Sequence, residues 1–389
     1  MNNMCLACGQ SELEIIWELP NLPLTGIYVA NSSDFTFQNE YDQNLLFCNN
    51  CGHGQLSNLI DPKFLYMETY THRTSDSVIS ASGNSFLLQY INERILKKTP
   101  SSILEIGCND LFLLKNIDSP GVKLSGVDPI WPEGVVQNVD GITLLGGFAE
   151  NIDYSLILEK PLDLVISAHT FEHITDPRKA LEQLSPFMAP NSTFIIEIPS
   201  AERMLEQVRL DQVFSQHVNY YSVSSLIHLF QSFGMGLKSL TYNYKYWGGT
   251  QILEFELGYH SEISFKSSKQ LRLDYQSAIS LFVESMKVTA HQISNSVGEV
   301  YCFGAAQMLP VLSYHLGQSF NKVVGIIDDN PSRQNLYFPH LKQEILPSSV
   351  INNWEGANIV VTALDSARPI LRRLLDLGPR SIILPVGNF

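Results

Sequence analysis

The sequence predicts an α/β protein. Its centre is a doubly wound, mostly parallel sheet, with a small metal-binding segment before it and a second, shorter α/β unit after it. Three observations predict this. Short apolar runs, "SILEIG", "KLSGVD", "DLVISA" and "TFIIEIP", alternate with helix-compatible stretches between residues 102 and 199. The same alternation restarts after Gly298 with "EVYCFG", "KVVGIID", "ANIVVTA" and "SIILPVG". The pattern Cys-x-x-Cys-Gly occurs twice near the start, at Cys5/Cys8 and Cys48/Cys51, and uses four of the six cysteines. A chain of 389 residues is also too long for one ordinary core, so two or three domains are expected.

The cysteine pairs come first in the chain. In each knuckle a tight turn aims two thiolates at one point, and two knuckles complete a tetrahedral shell. A structural Zn²⁺ on Cys5, Cys8, Cys48 and Cys51 is expected, holding together a small first domain with little core of its own. A closed shell of four thiolates leaves no open position for chemistry. Unrelated thiols or two disulfides are the competing readings. His53 is expected to be a solvated neighbour of the second knuckle. "ELPNLPLTGIY", with two prolines, reads as an irregular loop between the knuckles, and "IDPKFLYMETYTHRTSDS" as a polar linker.

From Ser77 to Lys98 the pattern is helical, with Phe86, Leu87, Tyr90, Ile91 and Ile95 on or near one face. "MGLKSLTYNY" and "TQILEFELGY" read as two strands joined by a Trp-Gly-Gly turn, and residues 264–296 as one long helix. The domain limits that follow are 1–75 for the zinc-binding domain, 76–262 for the doubly wound domain, and 263–389 for a helical linker with a Rossmann-like domain. The formal charge of −14, with no basic run, argues against a nucleic-acid or acidic-membrane partner. No apolar run approaches a membrane span, and no basic-then-apolar leader is visible. Paired thiols of this kind fit a reducing cytoplasm.

"SSILEIGCNDLFLLKNI" reads as strand, tight turn and helix, with Gly107 at the turn and Asn109 and Asp110 available to cap the helix. A dinucleotide fingerprint needs three glycines and only the first is present. Glu105 just before the turn suits a ligand with a cationic amino group. Asp128, ending "LSGVD", suits ribose hydroxyls, and Phe148 and Ala149 suit an adenine. "SAHTFEHITDP" places His169 and His173 at the crevice where the strand order reverses. Together these residues point to S-adenosylmethionine (SAM).

With these motifs in hand, the chain resembles the sugar C-methyltransferases that act on nucleotide-linked keto-deoxysugars. "CLACG" and "CNNCG" match that family's zinc motif. "YTHRTS" resembles its Tyr-x-Tyr-x-Ser-Ser stretch, with Tyr70 kept and His72 replacing the second tyrosine. "EIGCND" resembles Glu-Ile-Gly-x-Asn-Asp-Gly, with Leu111 in place of the last glycine. "HTFEHI" keeps the family's His173 and has His169 where the family has asparagine. "WGGTQI", "FGAAQMLPVL" and "IIDDNPSRQNLYFP" resemble later stretches of the family. The resemblance implies a class I SAM methyltransferase sheet, a zinc domain, a C-terminal domain that helps hold the nucleotide-sugar, and Tyr70 at the cofactor.

The largest departure is "VFSQHVNYY", where the family has Ile-Tyr-His-Glu-His-x-x-Tyr. His217 and Tyr220 are kept, while Phe214, Ser215 and Gln216 replace the tyrosine, histidine and glutamate. The resemblance implies that His217 is the base for carbon methylation, that His173 or Tyr220 steadies the oxyanion, and that Gln216 stands where an acid is lost. Methylation of oxygen or nitrogen needs less equipment and is the alternative. A non-catalytic SAM-fold binding protein is the reading from another class. An NAD-dependent oxidoreductase is weakly supported, because "YCFGAAQ" has a single glycine.

Overall fold

The structure, a computed structural model, describes residues 4–32, 40–65, 78–94, 99–117, 120–159, 161–245, 248–261 and 265–386. Tyr70, His72 and Trp247 lie outside the described residues. Compactness divides the chain into two units. The first comprises 1–15, 46–203 and 218–272, and the second 16–45, 204–217 and 273–389. Among the described residues no helix is long and apolar enough to cross a membrane.

Near the N-terminus lie β1 (Leu13–Pro23), β2 (Glu40–Cys48) and β3 (Gly54–Leu56). The first unit's sheet is built from β4 (Ser102–Ile106), β5 (Lys123–Glu133), β6 (Val136–Val139), β7 (Ile142–Gly146), β8 (Leu162–Ala168) and β9 (Met188–Pro199). The short β10 (Asn219–Tyr220) joins the knuckle strands, giving the sheet order β1-β2-β3-β10. Finally β11 (Met235–Asn243) and β12 (Thr250–Leu257) complete the eight-stranded sheet, β11-β12-β9-β8-β4-β5-β7-β6.

Pairs β4–β5, β4–β8, β5–β7 and β8–β9 are parallel. β12 runs antiparallel to both β9 and β11. Counted from β4 and leaving out the edge strand β6, the order is 3-2-1-4-5-7-6. This is the class I methyltransferase sheet, with its one reversed strand beside the fifth.

The central strands are near-continuous apolar runs because both faces are covered. Successive residues feed opposite cores. Leu104, Ile106, Val165, Phe194 and Ile196 enter one, and Ile103, Leu164, Ile166 and Ile195 the other. The first core is closed by aromatics, with Phe230 stacked on Phe255 at 4.1 Å and Phe171 edge-on to Phe194 at 5.8 Å.

Cys5, Cys48 and Cys51 belong to the same core as Phe171 and Phe230, in keeping with a knuckle segment that has little core of its own. One sequence expectation is corrected here. The first half of "ELPNLPLTGIY" is not loop but the end of β1, running to Pro23. β1 lies at the edge of its sheet, where proline's missing N–H costs no ladder bond.

The second unit has its own sheet. It consists of β13 (Val300–Phe303), β14 (Val323–Ile327), β15 (Ile345–Leu346), β16 (Asn358–Val361) and β17 (Ser381–Ile383). Its order is β15-β14-β13-β16-β17, parallel throughout, which is the Rossmann-like 3-2-1-4-5. Phe303, Ile327, Ile359, Val361 and Leu374 form its core.

Candidate active site and metal centre

The metal centre can be judged from its sulfurs. Cys5 Sγ lies 3.6 Å from Cys51 Sγ, and Cys8 Sγ lies 3.6 Å from Cys48 Sγ. All four sulfurs lie within 4.8 Å of one another. Sulfurs about 2.3 Å from a tetrahedral zinc stand about 3.8 Å apart, so the set fits Zn²⁺. The spacing is far beyond a disulfide bond, and all four thiols are free. Backbone bonds shape each knuckle: Gly9 N donates to Cys5 O and Gly52 N to Cys48 O, both at 2.9 Å. Both glycines have positive φ, 73° and 76°.

His53 departs from expectation. It is fully buried, not solvated, with Nε2 3.1 Å from Asn219 Oδ1. A single polar residue between glycines reads as surface. Its partner is 166 residues away, and nothing local in the sequence announces it.

The cofactor crevice forms where β4 and β8 part, at the reversal of strand order. Gly107 follows β4 at φ 81°, and a Cβ there would stand 1.8 Å from Thr170 Oγ1, so only glycine fits. Gly107 N donates to Val127 O at 2.7 Å. Asp128, at the end of the next strand's parallel run, accepts from Asn109 N and Ile130 N, each at 2.9 Å. A carboxylate offers about four acceptor sites, and these amides take two. Trp131 Nε1 donates to Asn109 O at 3.1 Å and pins the loop. Phe148 is extended and half-buried, and Ala149 opens a short turn over Ala149–Asn151.

The expected caps do not form. Leu111, at φ 70°, is the N-cap of the helix Phe112–Asn116, and no side chain caps it. Asn109 Oδ1 accepts from Asp110 N instead. Here the left-handed Leu111 occupies the place of the family's glycine.

Glu105 is buried, and its Oε2 has no hydrogen-bond partner among the described residues. Burial, with Asp128 and Asp110 nearby, pushes its carboxyl well above the usual range. The glycine cradle, the strand-end Asp128 and this buried acid fit SAM, which when bound supplies an electrophilic methyl on a cationic sulfonium. Glu105 must lose its proton to meet a cation. SAM affinity should therefore rise with pH through the range where Glu105 ionises, by up to about tenfold per pH unit. Calorimetry in buffers of different ionisation enthalpy should show proton release on binding. Glu105→Gln should flatten the pH dependence, and unchanged pH dependence in that variant would refute the assignment.

The turn after β8 carries both crevice histidines. His169 sits at φ 51° and its N donates to Glu197 O at 2.8 Å. Glu172, 1% exposed, lies between the two histidines, with Oε1 3.5 Å from His169 Nδ1 and 3.9 Å from His173 Nε2. Neither Glu172 oxygen has a hydrogen bond among the described residues. The sequence reading missed Glu172, although an acid between two histidines at a strand end, in "HTFEHI", is a signal of its kind. Tyr220 is buried in β10, paired with Gly54.

The other candidates lie in the second unit. His217 is 8% exposed, its N donates to Phe214 O at 3.0 Å, and its ring lies 4.1 Å from the Phe214 ring. Gln216 is fastened to Thr25: Nε2 donates to Thr25 O at 2.7 Å and Oε1 accepts from Thr25 Oγ1 at 3.1 Å. The segment is anchored upstream by buried Arg209, which bonds Asp211 at 2.8 and 2.9 Å and Asp365 at 2.9 Å. His173 and Tyr220 thus belong to the first unit, and Gln216 and His217 to the second.

Residues 83–239 match the family described as "Methyltransferase domain", and residues 5–66 the one described as "Putative zinc binding domain". This is a class I methyltransferase fold with a zinc segment. Its cofactor is SAM. The chain is similar to the C-methyltransferase NovU of Streptomyces niveus, 26% identical over 233 residues, covering 59% of this chain and 55% of NovU. The chain thus spans about half the length of the curated relative it matches. Similar solved structures include the N-methyltransferase NodS from Bradyrhizobium japonicum WM9, 13% identical with TM-score 0.35, covering 48% of this chain and 99% of NodS. Another is an O-methyltransferase family protein from Burkholderia thailandensis, 9% identical with TM-score 0.35, covering 48% of this chain and 59% of that one.

Proposed function

We propose that the protein is a SAM-dependent methyltransferase whose acceptor is a nucleotide-linked keto-deoxysugar, methylated on carbon. One observation carries the substrate class. The second unit repeats the strand-end device of the first. Gly304, at φ 105°, donates through N to Ile327 O at 2.7 Å. Asp328 accepts from Ala305 N at 2.8 Å and Asn330 N at 2.9 Å. A Cβ on Gly304 would stand 2.3 Å from Ala363 Cβ, so this turn too requires glycine. Arg333 adds a cation at the same edge, with Nη1 3.3 Å from Asp328 Oδ2 and its guanidinium over the Tyr28 ring. A ribose-reading acid beside a guanidinium is equipment for a sugar nucleotide. Two such edges in one chain suit two nucleoside-bearing ligands, SAM and the acceptor.

In this reading Glu105, Gly107, Asp128, Phe148, Ala149 and His169 serve SAM. His217 removes the C–H proton beside the ketone, and the enolate carbon then takes the methyl. His173 or Tyr220 steadies the enolate oxygen. The similarity to a C-methyltransferase supports carbon as the target. A second reading, methylation of oxygen or nitrogen, is favoured by Gln216, which brings no negative charge beside His217 and is bonded to Thr25. Incubating a nucleotide-linked ketosugar in deuterated water without SAM separates the two. Exchange of the C–H proton beside the ketone supports carbon methylation, and methyl transfer without such exchange supports the alternative.

A further inference from the structure

We propose that Asn219 is a positioning residue, anchored by His53, that ties the second zinc knuckle to the turn carrying Glu172 and His173. The inference rests on the reading that this turn works at the crevice, and it adds a mechanical role for the metal centre.

Both side-chain polar atoms and the backbone N–H of Asn219 are committed. Its Nδ2 donates to Phe171 O at 3.1 Å and to Ile174 O at 2.8 Å. Its backbone N donates to Glu172 O at 3.0 Å. One residue therefore takes three carbonyls of a four-residue turn. The turn's own bonds are short-range: His173 N to Thr170 O at 2.9 Å and Ile174 N to Phe171 O at 3.3 Å. With both amide hydrogens spent, Asn219 Oδ1 is an acceptor, so the His53 nitrogen 3.1 Å away carries the proton and donates.

His53 in turn belongs to the knuckle. Its carbonyl accepts from Cys48 N at 2.8 Å, which closes the knuckle's loop. The next residues form β3, which pairs with β10 at Asn219↔Gln55 and Tyr220↔Gly54. Gln55 reaches back to the first knuckle, accepting from Leu6 N at 2.8 Å and donating to Met4 O at 3.2 Å. His53 and Asn219 are 0% and 2% exposed, so a lost bond is not replaced by water. The turn they hold buries Glu172, an acid whose side-chain oxygens have no hydrogen bond among the described residues. Burying such a group is costly, and the turn keeps it in place only while outside bonds fix the backbone.

The test compares His53→Phe, which keeps the ring and removes the donor, with His53→Gln, which keeps a donor. Amide hydrogen exchange of peptide 169–176 is followed in full-length protein, with peptide 102–106 as reference and zinc content measured alongside. We expect His53→Phe to retain about one zinc per chain. Peptide 169–176 should exchange at least about tenfold faster while the reference stays protected. His53→Gln should restore protection, and chelating zinc from the unsubstituted protein should loosen the same peptide. Wild-type exchange in His53→Phe overturns the proposal. So does a His53→Gln variant as loose as His53→Phe, including the case in which both unfold. This readout needs no acceptor. If exchange behaves as expected and no sugar nucleotide is methylated, the relay stands and the proposed function falls.

Discussion

Stripping zinc should unfold the knuckles and take much of the first unit's packing with them. Zinc held by four thiolates contributes on the order of 10–16 kcal/mol in small domains, as much as the whole net stability of an ordinary one, about 5–15 kcal/mol. The loss cannot stay local, because Cys5, Cys48 and Cys51 are packed in one core with Phe171, Phe194 and Phe230. Sequence reasoning places the knuckles on a domain of their own, 1–75, whose loss would leave the SAM sheet standing. The shared core gives the opposite expectation, a joint loss of knuckle structure and SAM binding. Elemental analysis should find about one zinc per chain. Chelation, or Cys51→Ser, should lower the melting temperature and abolish SAM binding in calorimetry. The second unit's core around Phe303 and Val361 contains none of the four ligands and should melt separately. Protein free of metal, or SAM binding that survives chelation, would rule this out.

Much of the fold is legible in the chain. Parallel strands buried on both faces must be apolar without interruption, so β4, β8, β9, β13, β14 and β16 stand out as runs. The four cysteines are legible because metal geometry fixes both residue type and spacing. The placement of Glu105, Gly107 and Asp128 around one strand-end turn is legible because a turn, a strand end and an offset confine them. What stays hidden is long-range polar pairing. His53 reads as surface until Asn219 is found opposite, and nothing local to Gln216 announces that Thr25 holds it. The caps at Asn109 and Asp110 fail for a local reason. The turn tightens so far that Leu111 takes a left-handed conformation and the capping place. Edge position, which makes Pro20 and Pro23 acceptable in a strand, is a property of the sheet and not of the segment.

His217→Ala should lower turnover by about 10²–10⁴-fold, the usual contribution of a positioned general base. Histidine is the side chain whose ordinary range suits proton removal near neutral pH, so no acidic neighbour is required for the role. The segment is built to hold it. Arg209 is locked between Asp211 and Asp365, Gln216 is bonded twice to Thr25, and the His217 ring lies against Phe214. Removing the imidazole leaves these bonds in place, so the variant should fold, bind zinc, and hold SAM with nearly unchanged affinity. The effect should fall on kcat, because a proton in flight is a feature of the transition state and not of the bound substrate. Solvent deuterium exchange at the carbon beside the ketone, measured without SAM, should stop in the same variant. If exchange continues at the original rate, the proton is taken by another group. In that case His173, held beside buried Glu172, is the residue to replace next.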